Sequence, residues 1–170
     1  GLWNLFHPHA EWGPGLTNLE YAPLAEIMGH SPHLAPEATN CAAPDTGNAE
    51  ILAMFGTEEQ KAKYLAPLMA GDIVSCFSMT EPNQPGSDPY AIKTRAVRDG
   101  DDWVINGHKW FTSNGRRAAF AIVMCRTEED GGESGVRDRM TQIIVPTNTP
   151  GFNIVRSVPV WGHEHGDHCE

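Results

Sequence analysis

The 170-residue sequence predicts an α+β fold, with helices over residues 1–72 and an antiparallel β-barrel or β-sandwich over residues 73–170. Apolar residues at helical spacing and two helix-capping patterns, all before residue 73, predict the helical part. Short apolar runs separated by Gly- and Asp-rich turns predict the strand part. The 17 glycines and 13 prolines, more than the ~12% share usual in globular chains, also favour short strands joined by turns.

The first helix is predicted to begin after Thr17. The Thr17 hydroxyl can accept a hydrogen bond from the amide three residues on, and Glu20 can reach back to the Thr17 amide. Gly29 is a typical residue for the end of this helix. Pro23 lies inside the run and is expected to kink or break the helix, because proline lacks the N–H that the helix needs.

Two further helices are predicted before residue 73. One covers residues 48–55 and ends at Gly56. The other begins with a second capping box, formed by Thr57 and Gln60, and ends at Gly71. Pro67 is expected to weaken its last turn.

Seven short strands are predicted after residue 73. Asp99-Gly100-Asp101 and Asn106-Gly107 are turn signals, and Asn-Gly is a strong indicator of a two-residue hairpin. Residues 127–138 are charged and Gly-rich, which is typical of a loop. The predicted strands cover residues 73–79, 91–98, 103–105, 109–112, 118–125, 140–146 and 152–158.

Charge and cysteine usage exclude several classes of protein. Twelve basic residues against 22 acidic residues give a formal charge of −10, with the basic residues scattered, so nucleic acid and anionic membranes are poor partners. No apolar run approaches the ~18 residues that a membrane span needs. The chain has four cysteines and no CxxC pair, which predicts free thiols. These cysteines are Cys41, Cys76, Cys125 and Cys169.

The first candidate binding segment covers residues 78–88. Pro82 and Pro85 would stiffen it, Gly86 would allow close approach of a ligand to the backbone, and its hydroxyls and amides could donate hydrogen bonds. An ordinary surface loop explains the same composition equally well.

The second candidate covers residues 106–114. On a strand, Trp110 and Phe111 would point to opposite faces, as would Thr112 and Ser113. One face would then offer an aromatic ring and a hydroxyl two residues later, which suits a planar heterocycle. Taken alone, the pattern fits a core aromatic on an antiparallel strand better.

Metal binding and other catalytic classes have weaker signals. Residues 161–170 hold several ligand types, including His163 and His165, but lack the paired spacings of structural zinc sites, so we predict no metal site. The sequence has no GxSxG, GxGxxG or P-loop motif.

Two motifs together resemble the acyl-CoA dehydrogenase family. Residues 77–88 read FSMTEPNQPGSD, close to the family's flavin loop, and residues 106–113 read NGHKWFTS, close to a second family segment. Residues 47–50, 55–61, 149–152 and 162–163 also match, so the resemblance covers nearly the whole chain. Residues 1–60 are most similar to the branch of this family that resembles vertebrate family members 10 and 11.

The resemblance implies FAD as cofactor and an acyl-CoA thioester as substrate. In the first motif, Phe77, Met79 and Thr80 would meet the flavin through backbone and hydroxyl groups. Ser87 would lie near the CoA portion of the substrate.

In the second motif, the resemblance implies that Phe111 stacks on the isoalloxazine and that the Ser113 hydroxyl lies near its N5. The family usually has Trp at the stacking position. Trp110 and Thr112 are therefore the alternative pair, one residue earlier.

The implied reaction is α,β-dehydrogenation: a carboxylate takes the proton beside the thioester carbonyl, and the flavin accepts a hydride from the next carbon. In the family this carboxylate belongs to a glutamate in a C-terminal helical domain. We therefore expect the catalytic glutamate to lie outside this chain, and we expect the fragment to be inactive alone. The resemblance also implies that electron-transfer flavoprotein or a similar electron acceptor is a partner. It implies too that the full-length protein is a homo-oligomer. The alternatives are a related flavin oxidase or monooxygenase, and a non-catalytic β-domain binding protein, with the C-terminal histidines as its candidate metal ligands.

Overall fold

The computed structural model describes residues 1–127, 140–161 and 167–170. They form two compact units, Gly1–Val74 and Ser75–Glu170, which we call the helical unit and the strand unit. His163 and His165, named in the alternative metal hypothesis, lie outside the described residues, as does most of the predicted 127–138 loop.

The helical unit contains five α-helical segments, and a π-helical turn at Lys61–Leu65 joins the fourth to the fifth. Within the described residues, no helix is long and apolar enough to cross a membrane. The core of the helical unit is formed by side chains from several of these segments and from the N-terminal loop, including Phe6, Leu52, Leu65 and Leu68. The helices are α1 (Asn18–Met28), α2 (Ala35–Ala38), α3 (Asp45–Phe55), α4 (Glu58–Gln60) and α5 (Ala66–Ala70).

The predicted start and end of α1 are confirmed. Thr17 Oγ1 accepts from the Glu20 amide at 3.3 Å, Glu20 Oε2 accepts from the Thr17 amide at 2.9 Å, and Gly29 caps the other end. The predicted break at Pro23 is wrong, because α1 continues past Pro23 to Met28. Pro23 is exposed, and the carbonyl that loses its donor belongs to the exposed Leu19, where water can replace the missing bond.

The ends predicted for the other two helices are also confirmed, but the first of them begins at Asp45 rather than at residue 48, and the second is divided into α4, the π-helical turn and α5. Gly56 caps α3, and Thr57 and Gln60 form the second capping box. Gly71 ends α5 in the left-handed region with a φ of 81°. A Cβ at Gly71 would lie 2.7 Å from the Trp3 indole, so both the backbone angle and the close packing require glycine there.

The described residues of the strand unit form seven strands and a short 3₁₀ turn at Pro89–Ala91. β5 lies at the centre of the main sheet, and its side chains Phe120, Ala121 and Ile122 are almost completely buried. The strands are β1 (Ser75–Ser78), β2 (Arg95–Asp99), β3 (Asp102–Asn106), β4 (Thr112–Ser113), β5 (Phe120–Arg126), β6 (Met140–Pro146) and β7 (His168–Cys169).

The predicted wholly antiparallel arrangement is wrong. β5 pairs antiparallel with β6 along its length, but it pairs in parallel with β1 and, at Arg126, with Arg95 of β2. β2 and β3 form an antiparallel hairpin, and the described strands do not close into a barrel. Turn residues indicate which neighbouring strands form hairpins, whereas the parallel pairs join strands that are far apart in sequence.

The hairpin predicted at Asp99-Gly100-Asp101 is confirmed, with Gly100 at a φ of 62°. The hairpin predicted at Asn106-Gly107 is wrong, because the chain leaves β3 without a tight turn back. A Cβ at Gly107 would lie 2.1 Å from Thr94 Oγ1, so this glycine permits a close chain approach.

Two predicted strands are also corrected. Only Thr112 of the 109–112 strand is extended and paired, in the short β4. The 152–158 strand is replaced by irregular chain with one isolated bridge, between Ser157 and Cys169. The prediction that the cysteines are free thiols is confirmed for all four.

Candidate functional site

The two segments selected from the sequence lie side by side in the strand unit. The Trp110 amide donates to the Thr80 carbonyl at 3.1 Å, and Thr80 Oγ1 donates to the Trp110 carbonyl at 2.8 Å. This reciprocal pair ties the loop that follows β1 to the segment that precedes β4. Residues distant in sequence therefore form one surface.

A buried carboxylate anchors this arrangement. Glu81 is 7% exposed and accepts hydrogen bonds from the amides of Lys93 and Thr94, both at 2.8 Å, and from Thr94 Oγ1 at 2.6 Å. Lys109 Nζ donates to it at 3.0 Å. Burial by itself raises the pKa of the Glu81 carboxyl, but these hydrogen bonds together hold the pKa below its ordinary value.

Lys109 completes the anchor from the opposite segment. Its Nζ also donates to the Met79 carbonyl at 2.7 Å, so one ammonium group holds both sides of Thr80. Burial lowers the pKa of Lys109, and the hydrogen bond and charge of Glu81 oppose that shift. We call Glu81, Thr94 and Lys109 the buried brace. Sequence reasoning assigned no role to Lys109, and only its place in the NGHKWFTS segment pointed to it.

The aromatic pair differs from its predicted geometry. Phe111 has a φ of 54°, in the left-handed region, so the chain is not an extended strand at this point. The rings of Trp110 and Phe111 contact each other, with centroids 4.6 Å apart and planes inclined by 52°. The prediction that they point to opposite faces is therefore wrong. The Phe111 side chain remains 41% exposed.

The two neighbouring hydroxyls have different partners. Thr112 is buried, and its Oγ1 lies 3.2 Å from the buried Ser78 Oγ. Ser113 is half-buried, and its Oγ lies 2.7 Å from His168 Nδ1 on β7. The Thr112 hydroxyl is therefore held inside the strand unit, while the Ser113 hydroxyl is held by β7.

The remaining candidate residues lie along the first segment. Phe77 is half-buried in β1, opposite Ile122 in the register with β5. Ser87 is exposed in the loop, and in the described part of the chain no hydrogen bond joins its side chain to residues 111–113. The loop ends where the Asp88 carboxylate caps the Tyr90 amide at 2.9 Å.

A cavity of about 840 Å³ lies on another side of the same segment. Thr112 lines it, whereas Phe111 and Ser113 do not. Its walls include Val145 and Phe152, which pack against the hydrophobic core. The cavity is therefore continuous with the core of the strand unit and distinct from the surface formed by Phe111 and Ser113.

Comparison with protein families gives matches over almost the entire chain. The model of the acyl-CoA dehydrogenase N-terminal domain matches residues 1–72, and the model of the acyl-CoA dehydrogenase middle domain matches residues 76–170. The chain belongs to the acyl-CoA dehydrogenase family. The family is FAD-dependent.

Individual relatives agree with this assignment. The probable acyl-CoA dehydrogenase FadE2 of Mycobacterium tuberculosis is 55% identical over the whole chain, which spans 41% of that protein. Human acyl-CoA dehydrogenase family member 11 is 44% identical, again over the whole chain, which spans 22% of it. The chain thus spans less than half the length of these relatives.

Solved structures show the same fold. A Mycobacterium abscessus structure named for the same family is 44% identical with a TM-score of 0.91, over 99% of this chain and 42% of that one. A glutaryl-CoA dehydrogenase from Mycobacterium smegmatis, solved in complex with FADH2, is 30% identical with a TM-score of 0.71. That match covers 94% of this chain and 39% of the other.

Proposed function

We propose that the protein is an FAD-dependent acyl-CoA dehydrogenase and that this chain supplies part of its flavin site. Family membership supports the class of reaction. The observation that carries the placement is the set of hydrogen bonds that join the loop after β1 to residues 109–113, where Phe111 is partly exposed and Ser113 follows two residues later.

The residues present fit a flavin. The Phe111 ring offers a flat apolar face to a planar heterocycle. The Ser113 hydroxyl can both donate and accept a hydrogen bond, as a ring nitrogen that changes protonation would require. The alternative pair of Trp110 and Thr112 fits less well, because the Thr112 hydroxyl is buried against Ser78.

The first segment would complete the contact. In this proposal Phe77, Met79 and Thr80 lie along the flavin, and Ser87 lies towards the CoA portion of the substrate. The Lys109 ammonium of the buried brace holds the Met79 carbonyl and Glu81 on either side of Thr80, so hydrogen bonds within the chain position this part of the surface.

When bound, FAD would supply the hydride acceptor. The chain's own residues hold and orient the ring, and the aromatic pair excludes water from one side of it. We do not assign the proton-abstracting step to Glu81, since its carboxylate is already saturated by four donors. A carboxylate elsewhere in the full-length protein would take that proton. Electron-transfer flavoprotein or a similar acceptor and a homo-oligomeric assembly complete the proposal.

The test uses the full-length protein. Purified protein should carry FAD, and an acyl-CoA should bleach the flavin absorbance without oxygen. Phe111→Ala should weaken FAD binding by about tenfold, from the loss of stacking. Phe55→Ala in the helical unit, where Phe55 is 75% exposed, is the matched control and should retain wild-type affinity.

Three outcomes would contradict the proposal. A protein without flavin would favour the binding-module alternative. Reduced flavin that reacts rapidly with oxygen would point to an oxidase or monooxygenase. Equal FAD affinities for Phe111→Ala and Phe55→Ala would remove Phe111 from the flavin site.

A further inference from the structure

A hydrogen bond between Ser113 and His168 joins the proposed flavin surface to β7. The two residues face each other in the antiparallel pairing of β4 with β7, and Ser113 Oγ lies 2.7 Å from His168 Nδ1. Both residues are half-buried. The His168 carbonyl accepts from the Val158 amide at 2.7 Å, so β7 is held from its other side as well.

The surroundings fix this contact closely. Arg117 Nε donates to Asp167 Oδ2 at 3.1 Å, and Arg117 Nη2 donates to Asn114 Oδ1 at 2.9 Å. The same guanidinium thus ties together the residue before His168 and the residue after Ser113. A Cβ at Gly115 would lie 2.9 Å from the Cys169 Cβ, so the two segments pack more closely than a larger residue at position 115 would allow.

The position of the protons in this pair determines which hydrogen bonds the Ser113 hydroxyl can make to a ligand. A hydroxyl has one proton, and a histidine Nδ1 is an acceptor in one tautomer and a donor in the other. If Nδ1 accepts, the Ser113 proton is committed to His168 and only its lone pairs face outward. If Nδ1 carries a proton, it donates to Ser113, whose own proton is then available to a ligand.

A flavin needs both arrangements in turn, because N5 of the oxidised ring accepts a hydrogen bond and the reduced ring carries a proton there. We infer that His168 is a positioning residue that sets whether the Ser113 hydroxyl donates to or accepts from the flavin. This inference rests on the proposed function. It assigns no contact between His168 and substrate.

The test is a double-mutant cycle on the flavin midpoint potential of the full-length holoprotein, measured at one fixed pH. His168→Phe should change the relative affinity for oxidised and reduced flavin by about tenfold, which is about 30 mV for a two-electron couple. The change should be absent in the Ser113→Ala background, since His168 acts through that hydroxyl.

Two amide variants separate positioning from packing. His168→Asn can place an amide near the Nδ1 position and should retain most of the wild-type potential. His168→Gln places its amide near the Nε2 position and should behave like His168→Phe. This pair still decides the question if His168→Phe does not fold.

His108→Phe is the matched control. His108 Nε2 pairs with Glu170 Oε1 at 2.9 Å, so this substitution removes a contact beside β7 and leaves Ser113 and His168 in place. It should retain the wild-type potential.

The outcomes distinguish the inference from the proposed function. Protein without FAD would overturn both. A shifted potential in Ser113→Ala with none in His168→Phe or His168→Gln would overturn the positioning role alone. A His168→Phe shift that persists fully in the Ser113→Ala background would also overturn it, since the effect would then bypass the hydroxyl.

Discussion

Two contacts hold the chain on either side of Phe111, and they differ in kind. Before it, Lys109 binds a buried carboxylate that already has three other donors. After it, Ser113 meets His168 through one half-buried bond between groups that can each reverse roles. The buried brace is saturated and suited to holding the chain. The Ser113–His168 bond joins two groups whose donor and acceptor roles can be exchanged, which suits binding.

The largest effect on stability should come from breaking the buried brace. Lys109→Met leaves the Glu81 charge buried without its ion-pair partner, with side-chain exposures of 11% and 7% in the native pair. We expect a loss of about 3 kcal/mol in the free energy of unfolding, measured with denaturant. Lys61→Met is the control, because Lys61 pairs with an exposed Glu58 and should lose less than about 0.5 kcal/mol. Equal losses would contradict the account.

A glycine test follows from the close approach at Gly107. Gly107→Ala puts a methyl group 2.1 Å from Thr94 Oγ1 and should displace Thr94 from Glu81, at a cost of about 2 kcal/mol. Gly47→Ala lies inside α3 with nothing within 4 Å and should stabilise the protein by about 0.5 kcal/mol. Thermal unfolding of both variants checks the opposite signs, and destabilisation by Gly47→Ala or tolerance of Gly107→Ala would refute them.

The brace should also make stability depend on acid. The pKa of Glu81 is lower when folded than in the unfolded chain, so its contribution is complete above the unfolded pKa and is lost as pH falls through the folded pKa. Denaturant titrations between pH 6 and pH 3 should show a steeper decline for the wild type than for Glu81→Gln. Parallel curves would show that Glu81 does not contribute this dependence.

The smallest effect on stability should come from removing the hydrogen bond between Ser113 and His168. Ser113→Ala removes a half-buried neutral hydrogen bond and should lower the free energy of unfolding by about 0.5–1 kcal/mol. Ser78→Ala, which leaves the buried Thr112 hydroxyl without its partner, should cost about 1–2 kcal/mol. A larger loss of stability in Ser113→Ala than in Ser78→Ala would contradict this expectation.

Local features could be predicted from the sequence. Both capping boxes and the ends of α1, α3 and α5 follow from neighbouring residues, whose contacts are fixed by short-range geometry. The strand predicted at residues 140–146 matches β6 in full. The two motifs also identified the family.

Long-range features could not be predicted in this way. The parallel pairing of β1 with β5 and the contact of Lys109 with Glu81 join residues that no local pattern relates. The left-handed φ of Phe111 departs from the alternation assumed for a strand, so the faces of Trp110 and Phe111 were assigned wrongly. The partner of Ser113 depends on the register of β4 with β7, which sequence spacing does not reveal.

The most direct test of the account compares Ser113→Ala with Ser78→Ala in the full-length protein, by recording the absorbance spectrum and affinity of bound FAD. We predict that Ser113→Ala alters the flavin spectrum and weakens FAD binding, while Ser78→Ala unfolds more readily yet keeps the wild-type spectrum. An unchanged flavin in Ser113→Ala, or an altered flavin in Ser78→Ala alone, would contradict the claim that the Phe111 and Ser113 surface faces the cofactor.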